Sequence, residues 1–170
     1  MTPDGALAAI IADAAAIVGP ARRLRRRGEP DRSRLLAIGW ATVDTDRAES
    51  ELRTTLGLGG GSSVTLPRDP HLGAHCRRLP VETERPAILI LEPDTEGRLA
   101  ASLARLGEGP VAAWLAPGFD DRDLRARATA AGLNLSSLAH GPLGAQRLVL
   151  GGPAHGPHLL IAASGATMTA

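Results

Sequence analysis

The chain runs twice through one order of elements, and that repeat limits its folds more than any other feature. RLLAIGWATVD (34 to 44) is apolar and β-branched and reads as a buried strand. DTDRAESELRTTLG (44 to 57) follows as a helix, with an Asp at its start, Ala48, Leu52 and Leu56 on one side, and Gly57 at its end. LGAHCRRLPV (72 to 81) and PAILIL (86 to 91) are strand candidates, while 57 to 73, with GLGGGSS and PRDPHLG, reads as loop-rich. The second half repeats the pattern. PVAAWLAP (110 to 117) is a strand and DDRDLRARATAAGL a helix capped by Asp120, with Leu124 and Ala128 inward and Gly132 as its stop. NLSSLAHGPLG, AQRLVLGGP and HLLIAAS supply three more strands. Each half places a Trp (Trp40, Trp114) in its first strand and an Asp-rich cap after it. A period of about 70 residues is too long for a solenoid. It fits an α+β chain of two βαβββ modules, 34–91 and 110–163, whose sheets form one curved cleft.

The flanks and the connector complete this organisation. Residues 1–33 form an N-terminal helix and an Arg-rich connector. Thr2 can cap, Pro3 suits the first turn, Gly19-Pro20 stops the helix, and Leu7, Ile10, Ile11, Ala14, Ile17 and Val18 share a face. Between the modules, EPDTEGRLAASLARLGEG reads as a helix capped by Asp94 or Thr95 and ended by Gly107. Residues 164–170 read as a frayed tail.

Composition removes several chemistries. All 19 basic residues are Arg, so Schiff-base catalysis through a lysine is excluded. The formal net charge of +1 argues against a general nucleic-acid binder. The lone Cys76 cannot close an internal disulfide, which fits a reducing cytoplasm. ALAAIIADAAAIV (6 to 18) is too short to span a bilayer, and its basic run follows it rather than preceding it, so neither a membrane anchor nor a signal peptide is expected. That run, Arg22, Arg23, Arg25, Arg26, Arg27, Arg32 and Arg34, reads as a solvated connector or as a site for a phosphate-bearing partner such as coenzyme A or RNA.

ILEP (90 to 93), the helix after it and GEG (107 to 109) resemble the corresponding stretch of methylmalonyl-CoA epimerases, and with them the vicinal oxygen chelate superfamily of glyoxalases, extradiol dioxygenases and bleomycin-resistance proteins. The resemblance covers about 34 to 163. It implies paired modules around a metal held by His, Glu or Gln from the first and last strand of each module. In this chain those slots fall on Ala37, Leu89, Val111 with Ala112, and Leu160, or Ile161 if the register slips by one. All are apolar. A divalent cation needs N or O donors at about 2.0–2.6 Å, and these side chains have none. The expectation is therefore a glyoxalase-like protein without a metal or other cofactor, binding a small apolar molecule or an acyl-CoA or serving as a non-catalytic partner, and pairing as a homodimer as the superfamily often does. The alternative is a metal-dependent lyase, epimerase or dioxygenase with relocated ligands, for which His75 and His158 are candidates.

In the first case the ligand rests on Ala37, Gly39, Leu89, Val111 and Leu160, with Trp114 at the wall and His75, Arg77 or Gln146 at the rim. The other polar residues carry weaker signals. His71, His75, His140, His155 and His158 read as loop and strand residues, and Glu92 and Glu108 as turn residues flanking the connector, with general-base chemistry as the alternative. GLGGG (57 to 61) follows a helix instead of opening one, so it is not a phosphate loop. Ser62 and Ser63 lack a nucleophile elbow.

Overall fold

Helix α1 (Pro3–Ile17) starts where Thr2 accepts the Gly5 N–H at 3.3 Å and Pro3 supplies a residue with no donor to satisfy. At Gly19-Pro20 the chain tightens into a 3-10 helix, Gly19–Leu24. The computed structural model describes residues 2–81, 85–94, 96–152 and 156–163. Thr95, His155 and the tail 164–170, all named above, lie outside the described residues.

The first module is β1 (Arg34–Ala41), α2 (Thr45–Leu56), β2 (Val64–Asp69), β3 (Ala74–Arg78) and β4 (Ala87–Pro93). Asp44 caps α2 by accepting the Arg47 N–H at 3.0 Å, and Gly57 ends it in the left-handed conformation. The connector helix α3 (Arg98–Leu106) follows. The second module is β5 (Gly109–Ala116), α4 (Asp121–Ala130), β6 (Asn134–Leu135), β7 (Ala139–Gly141), β8 (Gly144–Leu150) and β9 (His158–Ala162). As expected, Asp120 caps α4, accepting the Asp123 N–H at 2.8 Å. The α+β architecture of two repeated modules behind an N-terminal helix is thus observed.

Three local expectations are corrected. Val64–Asp69 is a strand, although it lies in the stretch read as loop-rich. Pro67 is tolerated there because β2 is an edge strand and its pairing with β3 is irregular between Leu66 and Asp69. Among the described residues no side chain caps α3, whose cap position is Gly97; Asp94 is instead engaged by Arg68 and His75. NLSSLAHGPLG forms two short strands, β6 and β7, both paired with β8.

All strands join in the order β2-β3-β4-β1-β5-β9-β8-β6, with β7 also on β8. Within each module the first strand pairs in parallel with the last, and β1 pairs antiparallel with β5 to join the modules. On the outer face of the first module, Ile38, Ile88 and Ile90 pack against Ala48, Leu52 and Leu56 of α2 and Leu7 and Ile10 of α1. On the second, Ala113, Leu115, Leu159 and Ile161 pack against Leu124 and Ala128 of α4 and against Ile17, Ala21 and Leu24. The N-terminal segment therefore braces both modules from outside. The inner face is a third cluster, drawn from β3, β4, β1, β5, β9 and β8 together.

Arg22, Arg23, Arg25, Arg26, Arg27, Arg32 and Arg34 of the connector are all exposed, as read from the sequence, and the connector meets α4 through a few polar contacts. Arg127 of α4 is buried, stacks over the Phe119 ring at 4.2 Å, and donates to Asp123 and Glu29. Arg23 reaches the Ala131 carbonyl at the end of α4 at 2.5 Å.

Candidate functional site

The inner face carries the residues onto which the sequence resemblance mapped the ligand slots. Gly39 lies opposite Leu89 on one side and Ala112 on the other. Ala37 pairs with Trp114, and Trp114 with Leu160. Leu160 belongs to the inner cluster and Ile161 to an outer one, which fixes the register left open by the sequence. Ala37, Leu89, Val111, Trp114 and Leu160 are each at most 1% exposed.

The trough is filled. A Cβ placed on Gly39 would lie 2.6 Å from Leu91 Cδ1, 2.9 Å from Trp114 Cζ3 and 3.0 Å from Ala112 Cβ. From above, Leu99 of α3 joins the inner cluster, and its N–H donates to the Leu72 carbonyl at 2.9 Å. Close-packed walls of this kind leave no room for a ligand without rearrangement.

A polar strap crosses this interior. Trp114 Nε1–H donates to Gln146 Oε1 at 2.8 Å, and Gln146 Nε2 donates to Asp69 Oδ2 at 2.6 Å. Asp69 Oδ1 accepts the His71 and Leu72 N–H groups at 2.9 and 3.0 Å. Gln146 is on β8 and Asp69 on β2, at opposite ends of the strand order, so this contact requires a strongly curled sheet. Gly141 makes room for it, since a Cβ there would overlap the Gln146 amide. A second polar pair, Ser102 Oγ and His158 Nε2 at 2.9 Å, ties α3 to β9.

At the slots to which the sequence resemblance assigned metal ligands, Ala37, Leu89, Val111, Ala112 and Leu160 carry side chains of carbon only, with no donor for a metal. Among the described residues no three His, Cys, Asp or Glu side chains are grouped as a metal site. The residues present do not fit the metal.

The rim residues are placed differently from the sequence reading. On β3, Ala74 and Cys76 face the inner cluster, so His75 and Arg77 point outward. Arg77 there donates to Asp46 and Glu49 of α2 at 2.7 and 3.0 Å, and His75 Nε2 is 3.0 Å from Asp94 Oδ1. Gln146 is interior rather than at a rim. His158 is buried on α3's side, so it does not share a cleft with the exposed His75, and the proposed pair of relocated ligands is not brought together. Glu108 accepts from Thr42, from the Val43 N–H and from Arg47, whose guanidinium holds its carboxyl down to about 2. Glu92 accepts the Thr45 hydroxyl. Asp69 and Ser102, central to the inner contacts, were not singled out from sequence.

No protein-family model matches the sequence, and no curated protein matches it significantly. Solved structures do. Methylmalonyl-CoA epimerase from Mycobacterium tuberculosis is similar over 82% of this chain and 93% of its own, at 18% identity and a TM-score of 0.61. The fold is that of the vicinal oxygen chelate proteins. A hypothetical protein from Bacillus halodurans C-125 is similar over 76% of this chain and 93% of its own (18% identity, TM-score 0.59). A variant of the Streptomyces coelicolor epimerase in complex with 2-nitronate-propionyl-CoA is similar over 77% and 95% (20% identity, TM-score 0.57). At these identities the vicinal oxygen chelate likeness is one of fold. No described helix is long and apolar enough to cross a membrane.

Proposed function

We propose that this chain is a non-catalytic protein built on the vicinal oxygen chelate fold, in which the metal-holding trough has become a core. The observation that carries this reading is the occupation of every ligand slot by a buried apolar side chain beneath the Trp114–Gln146–Asp69 strap. Lewis-acid activation of a bound carbonyl needs a metal with an open position beside the substrate. Here the slots supply neither donors nor space. The protein then acts by binding through its surface, with its own trough serving stability. Pairing into a homodimer belongs to the same proposal. Val43, whose N–H bonds Glu108, and Leu106, two residues before Glu108, are 67% and 51% exposed and offer apolar surface for it.

The test uses methylmalonyl-CoA, because several of the similar solved structures are methylmalonyl-CoA epimerases. The protein is incubated with Co2+, Ni2+, Mn2+ or Zn2+, dialysed, analysed for metal, and followed by NMR for exchange of the substrate's α-proton into D2O. Substoichiometric metal and exchange no faster than in buffer are expected. One retained metal per chain together with catalysed exchange would establish the relocated-ligand enzyme instead.

A further inference from the structure

A pocket of about 150 Å3 opens on the outer face, between the 3-10 helix and the end of β5. Ala21, Leu24, Leu115 and Phe119 give it an apolar lining, and Arg22 and Arg25 stand at its edge. The two arginines differ in what holds them. Arg25 Nη1 is 3.1 Å from Asp31 Oδ2, and its Nη2 donates to the Glu29 carbonyl at 3.0 Å. Asp31 Oδ1 in turn accepts the N–H and the hydroxyl of Ser33. Arg25, Asp31 and Ser33 thus form a fixed wall whose charges answer each other. Arg22 is exposed, and among the described residues no hydrogen bond or ion pair engages its guanidinium, whose positive charge acts on Asp31 only at longer range.

Size and charge together select a ligand class. An apolar cavity of about 150 Å3 is large enough for benzene. With Arg25 answered by Asp31, one guanidinium whose N–H donors are free stands beside the cavity; it suits one anionic head, and its planar fork matches a carboxylate through two parallel N–H···O bonds. A polyphosphate would need several uncommitted cations, and this pocket has one.

We infer that this pocket binds a small monocarboxylate with a ring-sized apolar body, the body lying on Leu24 and Leu115 and the head on Arg22. The pocket is on the face of the sheet opposite the trough, so the inference does not rest on the proposed loss of catalysis.

The probe is 4-fluorobenzoate, titrated into 15N-labelled protein and followed by fluorine and amide NMR. Saturable shifts are expected, confined to residues 18–33 and 115–119. Arg22→Gln should weaken binding about tenfold or more, the scale of a lost charge-assisted hydrogen bond. Arg27→Gln, at an exposed position outside the pocket lining, should leave binding unchanged, and neutral 4-fluorobenzyl alcohol should bind about tenfold more weakly or worse. The inference is overturned if millimolar 4-fluorobenzoate gives no saturable shift or shifts that map elsewhere. It is equally overturned if Arg22→Gln binds as well as the parent, if Arg27→Gln weakens binding as much as Arg22→Gln, or if the alcohol binds as tightly as the acid.

Discussion

Gln146 shows how one residue can hold a sheet curled. Its amide answers the Trp114 indole on one side and the Asp69 carboxylate on the other. Gln146→Leu keeps the volume and removes both bonds, leaving two buried polar groups unpaired at about 1–3 kcal/mol each. A loss of about 3 kcal/mol in urea unfolding is the expected result, and an unchanged midpoint would mean that the strap contributes nothing. The placement was legible in part: in GAQRLVL a two-residue alternation sets Gln146 beside Leu148 on the inner face and Arg147 outside. The same alternation separates Cys76 from His75 and Arg77. Asp69 gave no such signal, because its partners lie far away in sequence. Burial pushes the Cys76 thiol up to about 12, from an ordinary 9.0. Native protein should therefore resist a thiol reagent at pH 8 and react only on unfolding; rapid native labelling would contradict its burial. Because the folded state disfavours the thiolate, this group also makes stability fall as pH rises from about 9 towards 12.

At the scale of elements, caps and apolar spacing were readable, and edges were not. Asp44, Gly57 and Asp120 do what their types predict at helix ends. β2 escaped notice because Pro67 normally argues against a strand, and only the sheet order shows that it sits at an edge. The junction between β1, α2 and β5 rests on Glu108, whose carboxyl is held down to about 2 mainly by Arg47 and then by the Val43 N–H and Thr42. Glu29 is held to about 2 by Arg127 in the same way, where the connector meets α4. A carboxyl with a depressed folded-state pKa stabilises the fold above its ordinary value of 4.5 and loses that contribution as pH falls towards 2. Urea midpoints should decline across that window, and Glu108→Gln should flatten the decline while lowering the midpoint at neutral pH. A Glu108→Gln profile parallel to the parent's would assign the acid sensitivity elsewhere.

For the whole molecule, the repeat disclosed the two modules, and the local ILEP and GEG motifs pointed to the fold that the epimerase structures share. What the sequence left open was whether the trough between the modules is empty or solid. Small residues such as Ala37 and Gly39 are compatible with either, and only the positions of Leu91, Trp114 and Ala112 around Gly39 distinguish them. Hydrogen exchange of the Trp114 indole N–H, read by NMR in D2O, tests the filled trough most directly. In a packed trough this proton, buried and bonded to Gln146, exchanges only through large-scale opening, so it should persist for hours at neutral pH and track the slowest amides of β1 and β5. Exchange at the rate of a free indole would mean that the trough opens to water, and would contradict the proposal that it serves as a core.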